Sequence, residues 1–289
     1  MLYDSYFKNP KDVPLLLEKI GKYTEQTGPV RLMEICGTHT MAIARSGIRS
    51  ILPDNVQLLS GPGCPVCVTP ANMIDMILDL SQRPGVLITT YGDPLRVPGS
   101  AQGGSRLTRR AAGGQVESVY SPMDALKIAE EHPDTEVIFL GVGFETTAPG
   151  TAACILEAAS RKLNNFSVLC LLKRTEPALR SLIESDDFAV NGFLCPGHVA
   201  AIIGADGFSF LPDDYRLPGV VSGFEPGDLL CSILELTEML AHGTPELKNE
   251  YTRLVRQNGN PPRNLKTVRS GRSWSRYSAP RRQTGADWA

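Results

Sequence analysis

Short β-rich runs alternate with longer amphipathic stretches along most of the chain, and this alternation restricts the fold more than any other feature of the sequence. Val86 to Tyr91 is apolar or β-branched almost throughout, as a strand buried on both faces must be. Val30 to Cys36, Val56 to Ser60, Val116 to Tyr120, Glu136 to Val142, Phe166 to Leu172, Gly192 to Cys195 and Val220 to Phe224 read as further strands. Between them the apolar residues fall at helical spacing. Helices are predicted over Pro10 to Gln26, Thr38 to Leu52, Ala71 to Ser81, Pro122 to Glu131, Gly150 to Leu163, Glu176 to Glu184 and Pro226 to Leu240. Thr38 is the expected cap of the second helix. Strands separated by helices pair in parallel. The expected fold is therefore α/β with two domains, each a mainly parallel sheet flanked by helices, and a remnant C-terminal segment.

At 289 residues the chain is long enough for two cores. The predicted division is an α/β domain over 1–100, a linker over 101–115, a second α/β domain over 116–224, a helical segment over 225–259 and a disordered basic tail over 260–289. The linker assignment rests on Pro98 to Gly114, which holds five of the 27 glycines and little apolar content. The tail carries six arginines and Lys266 against a single acid, Asp287, with no apolar period. A formal net charge of −2 gives no electrostatic case for nucleic acid as the main partner. No apolar run approaches the roughly 20 residues of a membrane span. Met1 to Pro14 lacks the apolar centre of a secretory signal, so a cytoplasmic protein is expected.

In that compartment the seven cysteines are expected to be thiols, metal ligands or catalytic groups. Four motifs lie just after a predicted strand and before or at the start of a helix. In an open parallel sheet that is the carboxyl edge, where ligands bind. In Cys36-Gly37-Thr38-His39-Thr40, Cys36 stands at a helix mouth whose dipole favours thiolate, with His39 three residues on. A core cysteine beside a capping threonine is the plain alternative. In Gly61-Pro62-Gly63-Cys64-Pro65-Val66-Cys67, one Cys-x-x-Cys supplies too few ligands for a zinc site. It reads instead as a redox dithiol held in a rigid turn. Gly141-Val142-Gly143-Phe144-Glu145-Thr146-Thr147 offers the Glu145 carboxylate, either to a ligand or to a capping box. It lacks the third glycine of a dinucleotide loop, and the chain has no Gly-Lys-Ser/Thr phosphate loop. Cys195-Pro196-Gly197-His198 places His198 at a strand end, as a cleft residue or as a structural hydrogen-bonder. His132 and His242 fall at helix C-termini and read as structural, and Cys154, Cys170 and Cys231 as core.

Together with Thr90-Tyr91-Gly92-Asp93, Tyr120 to Ala129 and the Pro-Gly-His-Val of 196–199, these motifs resemble the HypD family of hydrogenase maturation factors, from about Leu2 to about Asn260. The resemblance implies a role in building the Fe(CN)2(CO) group of [NiFe]-hydrogenases. It implies a complex with a HypC-type chaperone, with cyanide delivered by HypE and HypF upstream. By position it makes Cys36 the thiolate at iron, Cys64 and Cys67 the dithiol that cycles electrons, and His39, Glu145 and His198 residues of the cleft. Relatives also carry a C-terminal [4Fe-4S] cluster, whereas no cysteine follows Cys231 here. A reading-frame shift or truncation near Asn260 is the expected cause, and Gln102 to Gln115 reads as a second disturbed region. Two other functions stay open on the residues: a general thiol-disulfide oxidoreductase using Cys64 and Cys67, and a scaffold that binds partners without turnover.

Overall fold

The computed structural model describes residues 12–66, 68–92 and 116–259. Two parallel sheets carry the chain, in the orders β2-β1-β7-β8-β9 and β4-β3-β5-β6. The first is built from β1 (Val30–Glu34), β2 (Val56–Ser60), β7 (Gly192–Pro196), β8 (Gly219–Ser222) and β9 (Leu247–Asn249). The second is built from β3 (Val86–Thr90), β4 (Val116–Ser118), β5 (Glu136–Gly143) and β6 (Phe166–Leu172). The α/β fold with parallel sheets flanked by helices is the one expected.

Sheet membership crosses the predicted division at 101–115. Strand β3, from the first hundred residues, pairs with β4 and β5, while β7 and β8 return to pair beside β1. The chain changes sheet twice, through the cysteine loop that follows β2 and through the helix that follows β6. The segment over 225–259 is also not purely helical, because β9 adds an edge strand to the first sheet. The linker over 101–115 and the tail over 260–289 lie outside the described residues.

Both faces of the first sheet are covered, which explains the wholly buried strands β7 and β8 at its centre. Val30 and Leu32 of β1, Leu194 and Val220 pack on one face with α1 (Val13–Thr27), α2 (Gly37–Ser46), α3 (Ile48–Ile51) and α10 (Pro226–His242). Met33, Ile35, Phe193, Cys195 and Val221 pack on the other with α7 (Thr175–Ile183), α8 (Gly197–Ile203) and α9 (Phe210–Tyr215). Cys36 follows the last residues of β1 and so leaves the sheet at its carboxyl edge. In the second sheet, α4 (Ala71–Leu80) covers one face, and α5 (Pro122–Glu131) with α6 (Ala148–Ser160) the other.

Two local differences from the sequence reading have clear causes. The helix predicted over Thr38 to Leu52 breaks at Gly47, which adopts φ +68°, a left-handed turn between α2 and α3. Its N-cap is Cys36, in extended geometry, not Thr38. By contrast α5 begins as its sequence requires. Ser121 Oγ accepts from the Met123 N–H at 3.2 Å, and the Ser121 N–H donates to Asp124 at 3.0 Å. Replacing Ser121 by alanine is expected to cost about 1 kcal/mol, seen as a lower midpoint in urea unfolding.

Candidate functional site

Because every strand pair is parallel, the carboxyl ends of each sheet's strands lie along one edge. A cleft of about 420 Å³ lies between the two sets of loops. Cys36, Gly63, Pro65 and His198 line it from the first sheet, and Tyr91, Phe144, Thr147 and Thr175 from the second. Connections leave β1 toward β2 on one side, while β7 lies on the other, so Cys36 and His198 extend from the two strands at a topological switch point. Tyr91 and Phe144 occupy the matching place after β3 and β5. Crevices at such points are where parallel sheets bind ligands.

Cys36 and His198 meet at the cleft wall. The Cys36 Sγ lies 3.7 Å from Nε2 of His198 and 4.0 Å from Nδ1. Cys36 is 4% exposed. Burial pushes its thiol pKa up, against the lowering effect of the His39 and Thr38 backbone N–H groups at the start of α2. The helix-dipole expectation of a thiolate is thus overturned, because desolvation outweighs those donors. Burial also lowers the pKa of His198.

The cysteine loop is pressed onto this pair by backbone contact. The Gly61 N–H donates to the Glu34 carbonyl at 2.8 Å. A Cβ on Gly63 would fall 2.5 Å from Cys36 Cα, 2.6 Å from Cys36 N and 2.7 Å from Gly37 N. Only glycine permits that approach, and it places the residue before Cys64 against Cys36. Cys64 itself is partly buried against the cluster of Val66, Ile74 and Leu140. Cys67 lies outside the described residues.

Two residues read as cleft-lining are committed elsewhere. His39 is fully buried and does not line the cleft. Its Nε2 lies 2.9 Å from the Gly223 carbonyl, and burial lowers its pKa to about 4, so the ring is neutral and donates that hydrogen bond. Glu145 is 5% exposed and likewise stands behind the lining. Its Oε1 accepts from the Thr175 N–H and its Oε2 from the Thr175 hydroxyl, both at 2.7 Å. The carboxylate therefore caps α7 from a loop of the other sheet, where its charge also suits the helix N-terminus. No capping box forms at α6, whose N-cap Thr147 makes no side-chain cap bond.

Among the remaining cysteines, Cys154, Cys195 and Cys231 are fully buried as core residues. Cys170 is not core, because it is exposed on the edge strand β6. Cys195 and Cys154 sit in separate clusters, and the described residues contain no group of three or more His, Cys, Asp or Glu that could hold a metal. A four-thiolate [4Fe-4S] cluster does not fit them. No described helix is long and apolar enough to cross a membrane.

Sequence reading missed Glu34 and Phe224. Glu34 is a fully buried carboxylate two residues before Cys36; Thr40 donates to it at 2.7 Å, and burial raises its pKa. Its position was the available signal, because it shares the inward-facing period of Val30 and Leu32 while Arg31 faces out. Phe224, half-buried, stacks on His198 and packs tilted against His39. Nothing local in the sequence marks it.

Known proteins resemble this chain over most of its length. The family profile "HypD: Hydrogenase formation hypA family" matches residues 12–270. The "Hydrogenase maturation factor HypD" of Escherichia coli is 42% identical over 266 residues, covering 90% of this chain and 70% of that protein. Proteins of the same name from Azotobacter vinelandii and Rhodobacter capsulatus are 43% and 41% identical, each over 265 residues and with the same coverage. A match of this length and identity, spanning both sheets and all four cleft motifs, means that the chain belongs to the HypD family.

Proposed function

We propose that this chain serves hydrogenase maturation by holding iron at Cys36 while its ligands are added. The observation that carries the reading is the Cys36–His198 pair, 3.7 Å apart at the wall of a cleft between two carboxyl sheet edges. The cargo is iron on its way to an Fe(CN)2(CO) group. Iron carrying cyanide and CO is soft and electron-rich, and thiolate suits it.

Binding iron requires Cys36 to lose its proton, and His198 is the imidazole placed to receive it. One thiolate cannot hold iron alone. The remaining positions fall to a HypC-type chaperone and to the incoming cyanide and CO, with HypE as cyanide donor. That division suits a scaffold better than a resident metal site, which would present a closed ligand set. The dithiol of Cys64 and Cys67 is assigned the electron supply: closing to a disulfide releases two electrons and two protons. The Gly63 contact supports this, because it ties that loop to the Cys36 backbone. His39 and Glu145 support the site from behind.

The test is anaerobic purification together with a HypC-type chaperone, followed by infrared spectroscopy. Bands from iron-bound cyanide and CO are expected. Copurification with the chaperone but without iron or bands favours the inactive scaffold. Turnover of generic disulfides that survives loss of Cys36 favours the oxidoreductase.

A further inference from the structure

The His198 ring is held in place by an aromatic stack that runs back into the first sheet. The centroid of Phe224 lies 5.1 Å from that of His198, with the planes 21° apart. Its other neighbours are His39, at 4.7 Å and 37°, and Tyr251, at 6.1 Å and edge-on. Phe224 thus stands between the two histidines of the cleft motifs, one lining the cleft and one behind it.

The backbone carrying Phe224 is fixed from both sides. His39 bonds to the carbonyl of Gly223, the residue before it. Asp228, 1% exposed, accepts from the Glu225 N–H at 3.2 Å, holding the residue after it. Arg253 forks onto the same carboxylate at 2.7 and 2.6 Å, and its guanidinium lies 4.4 Å from the Tyr251 ring centroid. Tyr251 fills the space beside Gly197 and Gly223, where an added Cβ would come within 2.3 and 2.8 Å of its ring. Gly197 is the residue before His198. The turn after β8 and the segment after β9 therefore converge on one imidazole.

We infer that Phe224 is the positioning residue that holds the His198 ring against Cys36, and that the side chains of His39 and Tyr251 serve this placement. Without the flat face behind it, the ring is free to rotate away from the sulfur. The inference deepens the proposed function and rests on its assignment of Cys36 and His198 as the working pair. It also gives His39 a task in its motif other than ligation.

The test uses metal-free full-length protein. The chain has four histidines, so a proton–carbon correlation spectrum can resolve each imidazole, with His198 assigned from His198→Ala. A ring stacked on Phe224 is expected to show an upfield signal in the wild type. In Phe224→Leu that shift is expected to vanish. The rate of Cys36 alkylation by iodoacetamide at fixed pH, read by peptide mass spectrometry, is then expected to match that of His198→Ala. Phe224→Tyr, which keeps the ring, is expected to restore both readouts. A wild-type spectrum without the upfield signal overturns the inference before any variant is made. So does a Phe224→Leu protein in which the thiol rate stays at the wild-type value. If Phe224→Leu does not fold, Phe224→Met is read in its place, with the same two outcomes. None of these readouts contains iron. If His198→Ala retains iron while the stack behaves as expected, the iron reading of His198 fails and the positioning inference stands.

Discussion

Cys36→Ala is expected to bring iron retention down to the background of protein purified without the chaperone, and to abolish hydrogenase activity in a strain that depends on this copy. The size of the effect follows from the ligand count. Among the described residues, no group of three or more His, Cys, Asp or Glu could hold a metal in place of Cys36. Cys64 is packed toward the second sheet, with Val66 and Ile74. The fold should barely change: removing one buried sulfur costs about 1 kcal/mol, comparable to a buried methylene. The measurement is bound iron per chain, beside a thermal unfolding curve. Cys195→Ala and Cys231→Ala are the controls, because those thiols are fully buried in the core and burial raises both pKa values. Cys64→Ala separates the roles, and is expected to keep iron and lose the infrared bands of the finished ligand set. Normal hydrogenase activity with Cys36→Ala would count decisively against the iron assignment.

Gly63→Ala is expected to damage function almost as severely, although it removes no chemical group. The new methyl would sit 2.5 to 2.7 Å from three backbone atoms of Cys36 and Gly37. Backbone at the start of a helix cannot swing aside as a side chain can, so the cysteine loop must lift. A stability loss of about 1–3 kcal/mol is typical of such overpacking. The larger consequence is geometric, because Cys64 follows Gly63 and moves with it. Bound iron and infrared bands should fall together, while the far-ultraviolet circular dichroism stays near that of the wild type. Gly61→Ala is the calibrating variant. Its methyl would meet the Met33 Sδ at 2.7 Å and Cγ at 2.9 Å, a flexible side chain, with the Glu34 carbonyl at 3.0 Å. It should be milder. Full activity in Gly63→Ala would mean that the contact between the loop and Cys36 has no role.

Individual elements show how far the sequence could be read. The helix Pro122–Glu131 and the strand Phe166–Leu172 occupy the predicted residues. Each is bounded by its own local signal, a Ser-Pro start and a Pro stop for the helix, and a β-rich run for the strand. The helix Gly197–Ile203 was not foreseen, because its seven residues begin with glycine and are stabilised by packing of Val199 and Ala200 in the core. Strand β9 has only three half-buried residues, too few for an alternating pattern. Glu145 stood out in its motif, but its partner Thr175 is 30 residues away, at the start of the helix that follows β6.

What the sequence determined by itself was local: the α/β rhythm, the parallel pairing it forces, and the placement of Cys36, Gly63 and His198 at strand ends. These follow from side-chain periodicity and turn chemistry, which act within a few residues. Only the tertiary structure decided which strands share a sheet. The same is true of the 3.7 Å meeting of residues 36 and 198 and of the buried state of the thiol. It also decided that His39 and Glu145 brace the cleft instead of lining it. Those outcomes depend on contacts between distant parts of the chain, where burial competes with hydrogen bonding, and no local pattern records which of the two prevails.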